Sequence, residues 1–111
     1  MRSYFLYYGI ETQKGKSMTV FEEFLKKDLI NENASPVLLA LWYDGNGNWR
    51  KAHDQVDQLS GKDAARIHAY LHRKEGDQWN ADYWYRRSGE KLPIISLEEE
   101  WGDLVEKFLR A

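Results

Sequence analysis

Two histidines, His68 and His72, stand four residues apart. On a helix that spacing brings both imidazoles to one face, where they could share a transition metal. The intervening Ala69, Tyr70 and Leu71 lack the glutamate of the His-Glu-x-x-His hydrolase arrangement, and no third ligand is indicated by the pattern. The pair therefore reads as hydrogen-bonded packing, with no metal and no cofactor expected. A second group, Arg66, Tyr70, Arg73 and Lys74, recurs three and four apart and forms one helical stripe. Guanidinium and ammonium groups beside a tyrosine suit a carboxylate or an acidic peptide, because arginine can donate two parallel hydrogen bonds to one carboxylate. The plainer reading is a solvated face with local ion pairs to Asp63 and Asp77. Arg86 and Arg87 close a helix, where cations are favourable for stability alone. Tyr83, Trp84 and Tyr85 are consecutive and point about 100° apart, so they cannot make one flat stacking platform, and one or two of them belong in the core.

The elements that must position these groups come as a repeat. Displacement by 29 positions lays Gly47 on Gly76, Ala52 on Ala81, Ala40 on Ala69, Leu38 on Ile67, Leu41 on Tyr70 and Val56 on Tyr85. Each unit reads as a helix, a tight turn and a returning helix. Gly47 and Gly76 follow apolar-periodic runs, where a residue without a side chain closes a helix in the left-handed conformation. Asn48 and Asp77 come next and can accept from the free amides of the following helix. The small Ala52 and Ala81 let the axes approach. Gly45-Asn46-Gly47-Asn48 lacks the Lys-Ser/Thr of a phosphate-binding loop and reads as a turn.

This pattern, with Ala81-Asp82-Tyr83-Trp84-Tyr85-Arg86-Arg87 in the second helix, resembles the tetratricopeptide repeat and its Sel1-like relatives over roughly residues 36–89. The resemblance implies antiparallel helical hairpins, with both histidines packed on the partner helix. It also places Arg66, Tyr70, Arg73 and Lys74 on a concave surface that holds a peptide. The string from His68 to Asp77, with Tyr83–Arg87 and Ser96-Leu97-Glu98-Glu99-Glu100-Trp101, is also similar to a family of short uncharacterised bacterial proteins, which implies no activity.

Around these units the spacing predicts further helices. Thr19 with Glu22 makes a capping box for a helix over residues 20–30 whose apolar face is Phe21, Phe24, Leu25 and Leu29. Helices follow over residues 36–44, with Ser35 as cap and Pro36 in the first turn, and over 49–59, 62–74 and 78–87. After Gly89 and Pro93, Ser96 and Glu99 form a second box, and Leu97, Trp101, Leu104, Val105, Phe108 and Leu109 recur along a last helix to about residue 110. Its polar side would cover the open end of the stack, and Glu98-Glu99-Glu100 reads as acidic groups favoured by the helix dipole. Residues 1–17 differ. Strand-favouring aromatics from Ser3 to Ile10 precede a polar linker, and they read either as an extension before a native start at Met18 or as aromatics packed on the helices or on a second copy.

The 111 residues make one domain, here residues 18–111, with five Trp, seven Tyr and four Phe for its core. The absence of cysteine excludes disulfides and thiolate chemistry. Sixteen basic against eighteen acidic residues leave a net charge of −2, which argues against nucleic acid as a partner. No apolar run suits a membrane span and no leader is evident, so a cytoplasmic location is expected. The expectation is an all-α, non-catalytic module of about six helices that binds a protein or acidic peptide through Arg66, Tyr70, Arg73 and Lys74. The alternatives are a small-ligand or metal-dependent enzyme using His68 and His72, and a purely structural subunit that forms homo-oligomers.

Overall fold

The computed structural model describes residues 19–111, so the expectations for residues 1–17 and for Met18 as the native start lie outside the described residues. Six helices follow one another: α1 (Val20–Lys26), α2 (Pro36–Gly45), α3 (Trp49–Val56), α4 (Lys62–Glu75), α5 (Gln78–Ser88) and α6 (Leu97–Arg110). The fold is all-α among these residues. Both capping boxes form: the Glu22 amide donates to Thr19 Oγ1 at 3.1 Å and the Glu99 amide to Ser96 Oγ at 3.0 Å, with the glutamates returning the bond.

The 29-residue displacement is visible atom by atom in the turns. The Asn48 amide donates to Tyr43 O at 2.8 Å and the Asp77 amide to His72 O at 2.9 Å, while Gly47 and Gly76 both have φ of +87°. Asn48 and Asp77 then accept from the amides of Lys51 and Asn80. Ala40, Ala52, Ala69 and Ala81 are fully buried, so α2–α3 and α4–α5 pack as two tight hairpins. Helix α1 stops four residues short of its expected end because Lys27 turns to extended backbone, which lets Leu29 fold back into the core. Helix α3 ends at Val56 rather than Leu59, and Leu59 is exposed.

Helix α6 lies across both hairpins and α1. Phe21 and Phe24 meet the Trp101 ring at centroid distances of 5.8 and 6.0 Å, and Trp101 Nε1 donates to Leu41 O at 2.9 Å. This packing leaves no room at the end of α2, where a Cβ on Gly45 would come 2.7 Å from Trp101 Cζ2 and 2.6 Å from Leu25 Cδ2. Gly→Ala inside a helix ordinarily stabilises by about 1 kcal/mol. Here the indole is pinned by its hydrogen bond and cannot yield, so Gly45→Ala should destabilise by about 1–3 kcal/mol through overpacking. Urea unfolding checks the sign, and a stabilised variant would contradict this packing.

Candidate functional site

Helix α4 is the centre of the molecule, buried continuously from Ala64 to His72. Every polar group on that stretch must find a partner inside the fold. On the side facing α6 they do. Arg66, only 7% exposed, donates from Nη1 to Glu100 Oε2 at 2.7 Å and from Nε to Glu90 Oε1 at 2.8 Å. Arg73 donates to Glu100 Oε1 and to Ile95 O, both at 2.6 Å. Tyr70 Oη donates to Asp44 Oδ2 at 2.6 Å, and Lys74 Nζ reaches Asp44 Oδ1 at 2.9 Å. Burial opposes the Arg66 charge, but Glu100 and Glu90 outweigh it and hold the guanidinium above its ordinary range. Tyr85, on α5, also donates to Glu100, and burial together with that bond pushes its hydroxyl pKa upward.

The stripe Arg66, Tyr70, Arg73 and Lys74 is thus brought together, but beneath α6 instead of on an open concave surface. Its acidic partners are Asp44, Glu90 and Glu100, and neither Asp63 nor Asp77 is among them. Glu100, read from sequence only as an acidic group favoured by the α6 dipole, is fully buried. Lys74 is the most open of the four, beside a cleft of about 220 Å³ lined also by Asp44, Leu97 and Trp101.

The opposite side of α4 carries the histidines. His68 and His72 are buried against the hairpins, as the repeat implies, and His53 of α3 joins them, so all three histidines of the chain meet. Ring centroids lie 5.0 Å apart for His53 and His68, 5.2 Å for His53 and His72, and 5.9 Å for His68 and His72. One nitrogen from each lies within 4.8 Å of the others. Trp84 stacks on His68 at 4.1 Å and Trp49 on His53 at 5.1 Å, walling the cluster on two sides. Trp49 is itself fixed by donating from Nε1 to Leu71 O at 2.8 Å. Burial is the main cause that depresses the pKa of His68, to about 4, with His53 beside it adding to the effect, and burial also lowers that of His53 against the pull of Asp57. His53 was missed by the sequence reading because nothing in its spacing ties it to the α4 pair; a count of three histidines within 20 residues was the only signal.

A third surface lies on α5. Trp79 is 76% exposed and stacks on Tyr83 at 6.4 Å, while the Arg87 guanidinium sits 5.6 Å from the Tyr83 ring and 5.7 Å from that of Trp84. Arg87, Lys62 and Trp84 line a cleft of about 210 Å³ with Leu59, Ser60 and Ala65. Of the three consecutive aromatics, Tyr85 is buried, Trp84 half-buried and Tyr83 exposed. Comparison with protein-family models, with curated proteins and with solved structures finds no match to the chain.

Glu100→Ala strands the Arg66 guanidinium inside the fold and should cost roughly 3–5 kcal/mol. Lys107→Ala removes a pair with Glu90 that is about half exposed on both sides and should cost under about 1 kcal/mol. Denaturant unfolding of the two variants would separate these values; equal losses would mean that Glu100 is not the buried anchor described here.

Proposed function

We propose that the protein is a small non-catalytic interaction module, in keeping with the tetratricopeptide- and Sel1-like pattern of its hairpins, and that its partner is an acidic protein segment. The observation that supports this is an imbalance among its cations. Arg66, Arg73 and Lys74 are consumed by buried carboxylates, whereas Lys62, Arg86 and Arg87 have no ion-pair partner among the described residues. Lys62, Arg86 and Arg87 are exposed, and the aromatic pair Trp79 and Tyr83 is exposed on α5 with the two arginines. In a chain of net charge −2, a local basic and aromatic face favours a carboxylate-bearing ligand. Guanidinium groups beside indole and phenol rings can bind a carboxylate while the rings cover the adjoining aliphatic part of the peptide. No helix among the described residues is long and apolar enough to cross a membrane.

An array of acidic peptides, with fluorescence anisotropy of the strongest binder, tests the reading. Lys62→Ala/Arg87→Ala should weaken binding by about tenfold or more, the equivalent of a single lost charge-assisted bond, and added salt should weaken it further. Arg66→Ala and Arg73→Ala are unsuitable probes because they break the core. Affinity unchanged in the Lys62/Arg87 variant would reject this face. Failure of every peptide, together with concentration-dependent self-association that Trp79→Ala abolishes, would favour the structural oligomer instead.

A further inference from the structure

Apart from Trp42 Nε1, the only buried side-chain nitrogen or oxygen without a hydrogen-bond partner among the described residues is His68 Nδ1. Its position follows from the other side of the ring. His68 Nε2 lies 3.1 Å from Val56 O. A carbonyl only accepts, so Nε2 carries the proton and Nδ1 is left as a bare lone pair. A buried acceptor without a donor costs about 1–3 kcal/mol, and a leucine or phenylalanine at position 68 would avoid that cost. His72 is held in a complementary way, with Nδ1 2.8 Å from Glu75 Oε2. The carboxylate accepts a hydrogen bond from Nδ1–H, which leaves Nε2 as the lone pair.

The geometry points to a binding site for one divalent zinc-class ion between α3 and α4, with His53, His68 and His72 as its protein ligands. Three imidazoles bound to one tetrahedral ion at about 2.0 Å have ring centres roughly 5 Å apart. The observed 5.0, 5.2 and 5.9 Å lie close to that triangle, and small χ rotations close the nitrogens from their present spacing within 4.8 Å. The outer contacts are those a histidine metal ligand requires. A backbone carbonyl holds Nε2 of His68 and a carboxylate holds Nδ1 of His72, fixing the tautomers so that each ring keeps one nitrogen lone pair for an ion. Neutral nitrogen donors alone, with neither thiolate nor carboxylate in the set, suit zinc and its neighbours over calcium or magnesium. Three protein ligands leave a fourth position for water or a solute, and His53, the half-buried member, opens toward solvent. The site is independent of the α5 face: its ligands belong to α3 and α4, and Trp84 alone adjoins both.

The test uses full-length protein without an affinity tag, stripped with chelator and titrated with Zn²⁺ against a chromophoric competitor, and separately with Co²⁺. One ion per chain, a raised melting temperature and the strong visible absorption of a tetrahedral cobalt centre are expected. His53→Ala, at a half-buried position, should fold and lose saturable binding. Glu75→Gln, at an exposed residue, should keep the one-to-one stoichiometry with affinity lower by about 10- to 100-fold. Absence of stoichiometric binding would overturn the proposal. So would binding that His53→Ala leaves unchanged, because the ion would then belong to His72, Glu75 and Asp77, which also lie within reach of one another.

Discussion

A helix that passes through the middle of a small protein must satisfy its polar groups on all sides, and α4 is such a helix. It buries nine residues in succession, among them an arginine, a tyrosine and two histidines. Removing Arg66 from water is tolerable only because Glu100 is delivered opposite it, and Glu100 is buried only because Arg66, Arg73 and Tyr85 all donate to it. That carboxylate joins α6 to both helices of the second hairpin, while the Trp101 bond to Leu41 joins α6 to the first. The two hairpins meet through α4, where Trp49 Nε1 donates to Leu71 O and His68 Nε2 to Val56 O, so these direct α3–α4 bonds bring His53 to His68 and His72 while the α6 clamp ties the two hairpins together from the other side.

The same constraint divides the basic residues by role. Arg66, Arg73 and Lys74 of α4 are structural, since each is answered by Asp44, Glu90 or Glu100. Cations at the start of α4 and the end of α5 are not answered, and they sit beside exposed rings. A binding role therefore fits the outer face of α5 better than the inner stripe. Packing reinforces the division, because α6 lies over Arg66 and Arg73 and closes that face of α4.

Much of the architecture was legible in the sequence. Thr19 with Glu22, Ser96 with Glu99, Pro36, Gly76 and Gly89 marked helix ends through local bonding that needs no tertiary information. The displacement of Gly47 and Asn48 onto Gly76 and Asp77 appeared in the structure as the same backbone bonds, for the same reason. The ends of α1 and α3 were less legible, since Leu29 leaves the helix to reach the core and that gain is tertiary. The stripe was correctly placed on one helical face, but which element covers that face depends on residues 34 positions away in the chain, and a solvated acidic run and a buried counter-charge look alike in sequence. His53 failed for a related reason: His68 and His72 announce themselves by spacing within one helix, whereas a ligand from a neighbouring helix is placed by packing alone.

The most direct test is a crystal structure of the untagged protein equilibrated with Zn²⁺, with anomalous differences measured on both sides of the zinc absorption edge. The predicted result is a single strong peak among the imidazoles of His53, His68 and His72, with Arg66 and Arg73 still bound to a buried Glu100. A peak beside Glu75 and Asp77, no peak at all, or an Arg66 turned out to solvent would contradict the reading of α4 as a helix whose buried polar groups are matched on one side by carboxylates and on the other by a metal.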